Sequence, residues 1–498
     1  MLPMPQHKRV GLLIAVCLGT FLASLDISIV NVALPAIQES LGSDLAGLQW
    51  IVNAYAICLS AFMLSASAFS DRYGHKKVWL LGIAFFTLGS FICAVAGSMP
   101  MLLIGRMVQG IAGAVLIPGA MSMIAYAYPE PKERVGAIGI WSALSALALI
   151  LGPFLGGFLV HYTGWHGIFS INLPIGVVAF GLGLWSMTER RYPEEAALDP
   201  AGQLLSVVGL GLLSFGLIEA GEQGFMAMQP LALLAAFVGV FGLFLWFELR
   251  VARPLVDLSL FKNPFFSVVN LASFIMGFAG YSSLFFFSVF LQQVQGQAPQ
   301  QAGMQMMPQF ILMGLVSLSF GRLNRYVSTR VLMNLGYGLV GLAMVLMTSF
   351  AVDTPYAVIG GLFALLGVGM GLAVPATGMV VMSAVAPQQF AMASATMNAL
   401  RQTGMSIGIA LLASVMSVQA SYVMQERLAA VGMADLMRVV EEAIRYHRFV
   451  GEPLALVRQA YLAGMESGFS VVMGAAGVSC LFVMLLLCRV KKSPSVAS

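Results

Sequence analysis

The chain has 498 residues, of which 59% are apolar and only 9% charged, against about 25% charged in a soluble domain. So little polar surface could not cover a core of this size in water, so the missing solvent is lipid and a soluble enzyme is excluded. The net charge of +4 matters less than where the charges sit, and no nucleic-acid partner is expected.

Runs of roughly 20 mostly apolar residues, the length that crosses a bilayer, fall near 11–34, 48–69, 78–97, 101–125, 135–160, 167–187, 201–219 and 229–249. A second set falls near 265–291, 301–320, 331–350, 356–384, 393–418 and 467–488, which makes fourteen spans. With the N-terminus in the cytoplasm, the inside segments hold Lys8 and Arg9, Arg72, Lys76 and Lys77, Lys132 and Arg134, and Arg190 and Arg191. They go on with Arg250, Arg253 and Lys262, Arg322, Arg325 and Arg330, and Arg489, Lys491 and Lys492: 18 of the 25 basic residues. The short outside segments hold none, as positive-inside bias requires, and both termini are then cytoplasmic. One long outside segment, about 419–466, breaks the rule: Arg427, Arg438, Arg445, Arg448 and Arg458 alternate there with Glu426, Asp435, Glu441, Glu442 and Glu452. It reads as an external amphipathic helix broken near Gly451 and Pro453. Such a segment is either a plain cap or, in a cell with an outer membrane, a dock for a periplasmic adaptor.

A short repeat marks two halves. Asp71-Arg72-Tyr73 through Lys77-Val78 follows span 2, and Asn324-Arg325-Tyr326 through Arg330-Val331 follows span 10. Both are basic turns between the second and third span of a six-span set. Two parallel six-helix halves with a substrate site between them form a transporter architecture. The expected fold is all-α and membrane-spanning. Residues 1–190 form one bundle, 191–262 carry an inserted pair of helices, and 263–498 form a second bundle that includes 419–466.

Ionisable residues at membrane depth are costly and default to functional hypotheses. Asp26 lies about eight residues from the outer end of span 1, and Arg106 about five from that of span 4, roughly 12 and 8 Å deep. Burial works against a carboxylate's charge and a neighbouring guanidinium works for it. A group balanced between the two can load and release a proton; the plainer reading is a pair that holds two helices together. Arg401, in span 13, either lines a cavity or snorkels toward the inside. Glu219 and Glu248 read as interfacial, and Phe285-Phe286-Phe287 as ordinary span composition. The five cysteines lie in apolar runs without metal spacing. There is no GxxxxGK[ST] loop, so the chain is no ATP-driven pump by itself, and no metal or cofactor is expected.

Several motifs together carry a resemblance. Leu25-Asp26 with Ile29-Val30-Asn31-Val32-Ala33-Leu34-Pro35, Asp71-Arg72-Tyr73-Gly74-His75-Lys76-Lys77, Arg106-Met107-Val108-Gln109-Gly110 with Gly113, and Gly152-Pro153-Phe154-Leu155-Gly156-Gly157 fall on successive elements. Trp165 through Gly176, containing Asn172, and Arg401-Gln402-Thr403-Gly404 complete the set. The sequence resembles the major facilitator superfamily over nearly its whole length, and within it the fourteen-span drug:proton antiporters. Two motif glycines are replaced, by Ser67 and Ala148. The resemblance implies an inside gate at Asp71, Arg72, Gly74, Lys76 and Lys77. It implies proton transfer at Asp26 and Arg106, and an antiporter motif at Gly152, Pro153, Gly156 and Gly157. Asn31, Gln109, Asn172, Arg401 and Gln402 are the candidate cavity residues. No acid lies within spans 9–13, which argues against dicationic substrates.

The expected function is a proton-driven exporter of amphipathic small molecules in a bacterial inner membrane, with the proton gradient as its energy source. The alternatives are a dedicated exporter of one metabolite, lipid-like molecule or siderophore and, in another class, a non-transporting scaffold or sensor.

Overall fold

The computed structural model describes residues 5–190, 199–251, 254–256, 258–385, 390–431, 433, 436–450 and 453–490. Arg191, Arg253, Asp435, Gly451, Glu452, Lys491 and Lys492 lie outside these, as does the side chain of Lys132. Among the described residues, fourteen helices are long and apolar enough to cross a membrane. In lipid, a backbone without water must satisfy its own hydrogen bonds, which leaves helices as the solution for apolar runs of this length.

The first set is α1 (Gln6–Leu41), α2 (Leu45–Tyr73), α3 (His75–Ala94), α4 (Met99–Ala127), α5 (Pro131–Thr163) and α6 (Gly167–Ser186). Two helices follow, α7 (Pro200–Gln223) and α8 (Met228–Glu248). The second set is α9 (Pro264–Val294), α10 (Pro299–Leu323), α11 (Thr329–Ser349), α12 (Tyr356–Met382), α13 (Phe390–Ala430) and α15 (Leu454–Arg489), with a short α14 (Leu436–Tyr446) before the last. Starts are set by local chemistry. The Asp44 side chain accepts from Gly47 N at 2.8 Å, Asp199 from Gly202 N at 2.9 Å and Asn263 from Phe265 N at 3.0 Å. Proline occupies the first turn of α7, α9 and α10, where its missing N–H costs nothing. Gly74 separates α2 from α3 with φ +107°, a conformation that favours glycine.

The packing repeats with a shift of eight helices. α1 lies on α5, α2 and α3 on α4, and α3 on α6; likewise α9 lies on α13, α10 and α11 on α12, and α11 on α15. The two basic turns fall at corresponding places, after α2 and after α10. The sets meet where α5 packs on α10, α2 on α13 and α1 on α9. α7 lies across the seam against both α2 and α13, and α8 packs on α7 with little else around it.

The segment 419–466 differs from its expected form. Most of it extends two spanning helices: α13 continues to Ala430 and α15 begins at Leu454. Only α14 is a separate amphipathic helix, burying Val439, Val440, Ala443 and Ile444. His447 ends it at φ +52°, with Arg448 N donating back to Glu442 O at 3.0 Å, a left-handed helix stop. Gln38 donates to Arg445 O at 3.1 Å, and Arg445 donates to Glu222 O at 3.0 Å, so the segment folds over the ends of α1 and α7. Glu248, the last residue of α8, is buried, with Oε2 accepting from Val256 N at 3.3 Å. Glu219 stays at a helix end, bonded to Gln223.

Candidate functional site

Asp26 and Arg106 form an ion pair with both side chains completely buried. α1 is longer than its apolar run, so Asp26 sits about 15 residues, roughly 22 Å, from Leu41 rather than eight residues from the helix end. Arg106 is held from three further directions. Its Nε donates to Ile51 O at 3.0 Å, Nη1 also donates to Gln109 Oε1 at 3.0 Å, and the guanidinium lies 4.5 Å from the Tyr55 ring centroid. Gln109 Nε2 donates to Asp26 Oδ1 at 3.2 Å and to Ser90 Oγ at 2.9 Å, and Asn172 Nδ2 donates to the same Ser90 oxygen at 3.2 Å. One polar chain thus links α1, α2, α3, α4 and α6 inside the first set, with Asp26, Ser90, Arg106, Gln109 and Asn172 all at 0% exposure. Two polar atoms in it lack a partner, Arg106 Nη2 and Asn172 Oδ1.

Five residues were expected to line a cavity, and the structure divides them. Gln109 and Asn172 join the Asp26–Arg106 pair. Asn31 donates to Ile27 O at 2.8 Å, and its own carbonyl accepts from Ser288 Oγ of α9 at 2.5 Å, which places it at the seam. Arg401 is half-buried in α13, bonded to Asn398 Oδ1 at 2.6 Å and 5.4 Å from the Tyr281 ring, with Gln402 buried beside it. Tyr281 closes a π-helical turn of α9, Met276–Tyr281; such widened turns mark functional segments in many helices. Ser90 and Tyr55 were missed, because a lone serine or tyrosine in an apolar span carries no spacing signal.

The glycine motif of α5 lies on two partners. A Cβ on Gly156 would meet Ile29 O of α1 at 2.9 Å, and one on Gly157 would meet Pro299 O of α10 at 2.6 Å. Gly152 faces Ser28, and Gly303 of α10 faces Pro153 O. Small residues permit this approach, and Pro153 removes a backbone donor at the crossing. Toward the same far end, Gln292 donates to Val32 O at 3.0 Å, Gln293 to Gln38 Oε1 at 2.8 Å, and Ser406 to Asn53 Oδ1 at 2.9 Å. These bonds join the two sets on the side away from the N-terminus. Phe285, Phe286 and Phe287 are buried, with Phe287 against Phe363 at 4.5 Å in the core of the second set.

At the opposite end, the turn after α2 is held within the first set. His75 Nε2 meets Asp71 Oδ1 at 2.9 Å, and Lys76 Nζ donates to Leu184 O at 2.8 Å. Glu189 accepts from the backbone N–H groups of Lys76 and Lys77 at 3.1 Å each, against the start of α3, where a carboxylate is favoured. Gly74 leaves room for that carboxylate, whose carbon would lie 2.5 Å from a Cβ there. Arg72 lies exposed over Tyr73. Glu189 was not anticipated, because its partner is 112 residues away.

Residues 16–409 match the family model described as Major Facilitator Superfamily. The chain belongs to the major facilitator superfamily. As such it is a multi-pass membrane transporter and not an enzyme. Among curated superfamily members, it is 32% identical to a methylenomycin A resistance protein of Bacillus subtilis, over 86% of this chain and 91% of that one. It is 35% identical to the multidrug resistance protein Stp of Mycobacterium tuberculosis, over 84% and 77%. It is 30% identical to a tetracenomycin C resistance and export protein of Streptomyces glaucescens, over 94% and 89%. The fold matches a bacterial homologue of the human lysosomal transporter Spinster in its inward-facing form, with TM-score 0.68, 19% identity and coverage of 99% and 100%. It also matches the nucleoside transporter NupG, with TM-score 0.62, 12% identity and coverage of 95% and 99%. Superfamily members generally need no cofactor, and among the described residues no group of three His, Cys, Asp or Glu side chains is placed to hold a metal.

Proposed function

We propose that this transporter exports amphipathic small molecules from the cytoplasm, driven by inward proton flow, by alternating access across a bacterial cytoplasmic membrane. The observation that carries this reading is Asp26: a fully buried carboxyl group paired with Arg106 and accepting from Gln109, all three at 0% exposure. An ionisable pair buried at membrane depth is costly, and such residues default to a functional role. Each proton crossing inward contributes about 2.3 kcal/mol per 100 mV from the membrane potential alone. The names of the relatives support drugs or antibiotics as the cargo.

We place both termini in the cytoplasm, from the positive-inside distribution. Residues 1–190 and 263–498 are then the rocking bundles, with 191–262 the inserted pair. The bonds from α9 to α1 close the outside, and the turn from Asp71 to Lys77 gates the inside. The segment 419–466 is read as a cap, since it spends Gln38, Glu222 and Arg445 on contacts within the chain; an adaptor would need to approach over it.

The test uses purified protein in vesicles with an imposed pH gradient. Asp26→Asn should abolish substrate-dependent proton movement while the protein stays folded in the membrane. Gradient-driven efflux at the wild-type rate in that variant removes Asp26 from the mechanism.

A further inference from the structure

The inserted helices enclose a cavity that the transport cycle described above does not use. It measures about 320 Å³ and lies where α7 crosses the seam between α2 and α13. α7 is fastened at both ends of this crossing. Gln203 bonds Ser65 of α2, and Ser414 of α13 donates to Leu217 O at 2.6 Å. Between these ties Ser214 of α7 also meets Ser406 of α13, at 3.4 Å, beyond the cavity.

One wall is aromatic: Phe237, Phe241 and Phe244 of α8 line the cavity, with Phe261 from the approach to α9. Phe237 and Phe241 are nearly parallel, 5.6 Å apart and 27° between planes. Ala61 of α2 and Ala399 of α13 contribute small side chains to the rest of the lining, beside Leu400 and Ile407. One polar atom there is unusual. Thr396 is only 2% exposed, it lines the cavity, and its hydroxyl has no hydrogen-bond partner. A buried hydroxyl left unpaired costs stability unless something satisfies it. Ser60 and Ser206, also on the wall, are already bonded to Ile57 O and Gln203 O. Thr403 lines the wall as well, and a mostly apolar lining with a few polar groups is the ordinary composition of a small-molecule site. α8 is bathed in lipid over nearly its whole length, and Phe241 itself is 46% exposed, so the entrance is from the membrane.

We propose that this cavity is a binding site for flat, uncharged, polycyclic compounds that enter from the bilayer and place one carbonyl oxygen on the Thr396 hydroxyl. The inserted pair thereby adds a membrane-side reception site at the seam between the bundles. The proposal rests on the export reading for its purpose but not for its chemistry, because binding needs no gradient and no Asp26.

The experiment is equilibrium binding of benzanthrone, an uncharged four-ring ketone, to the full protein in lipid nanodiscs, with empty nanodiscs subtracted. Benz[a]anthracene, a hydrocarbon without the oxygen, is the comparison ligand. Saturable binding of the ketone is expected. Ala399→Phe and Ala61→Phe fill the cavity from two helices, and each should weaken binding at least about tenfold, since an overpacked wall leaves no room. Thr396→Val keeps the shape and should weaken the ketone about fivefold while leaving the hydrocarbon unchanged, the loss of one net hydrogen bond. No saturable binding, wild-type affinity in both Phe variants, or equal effects of Thr396→Val on the two ligands would each overturn the proposal. Asp26→Asn should bind benzanthrone as the wild type does. Loss of gradient-driven efflux with binding intact, or the reverse, separates failure of the export reading from failure of this site.

Discussion

The two six-helix sets share a packing plan and differ in what they bury. The first encloses Asp26, Arg106, Gln109, Ser90 and Asn172 as one bonded chain. The second buries Phe285, Phe286, Phe287 and Met370, and its Arg401 is half-buried, bonded to Asn398 and 5.4 Å from the Tyr281 ring. Gln309 in the second set has no better acceptor than the Met370 sulfur at 3.5 Å. A repeated scaffold can therefore be divided in labour: one copy pays to bury charge, and the other stays apolar and deformable, as Met-rich and Phe-rich surfaces are.

Breaking the charged half should give the largest effects. Arg106→Ala leaves Asp26 buried without its cation, and should cost about 3–5 kcal/mol, read as a fall in unfolding temperature in detergent. Pairing it with Asp26→Asn should restore much of that stability but no proton-coupled transport. If the double variant is no more stable than Arg106→Ala, the two residues do not act as a pair. Next in size is the hinge between halves. Gly157→Val drives a side chain into Pro299 O, and transport in vesicles should fall about tenfold or more while the first set keeps its fold. The second half supplies the contrast: Arg401→Gln should change transport by no more than about threefold, the range of substitutions away from buried networks. A loss as large as that of Asp26→Asn would erase the division between the halves.

The smallest effect concerns the cap. His447 is mostly buried beside Tyr461, 3.0 Å from its hydroxyl, and burial together with Arg458 holds its pKa below the ordinary 6.5, with Glu39 opposing. The cap thus favours neutral His447. Its contribution is complete above 6.5, where the unfolded segment is neutral too, and is lost as pH falls from there through the lowered folded value. Opening of residues 436–450, read as hydrogen-exchange protection factors corrected for the intrinsic pH dependence of amide exchange, should increase modestly from about pH 7.5 to about pH 5.5, and His447→Phe should flatten that increase.

The lesson about legibility follows the same division. The spans were readable because apolar length and basic loops are local properties. Asp26 and Arg106 stood out because charge in an apolar run is rare. Ser90 and Tyr55 were not readable, because nothing local separates a serine that receives Gln109 from one that faces lipid. Helix ends were misjudged where a polar stretch stays helical by packing: α1 runs to Leu41 and α13 to Ala430, well past their apolar runs.

By itself the sequence determined that the chain lives in lipid, crosses it fourteen times, and carries one deep acid and one deep base in its first half. Hydropathy, charge bias and motif spacing act over a few residues to a few turns, so they survive without a fold. Only the tertiary structure decided that Asp26 meets Arg106 through a chain of five helices, that Gly157 rests on α10, and that the inserted pair walls a cavity around an unsatisfied Thr396. Each of these is a contact between residues tens to hundreds of positions apart, and its geometry exists only once the helices have packed.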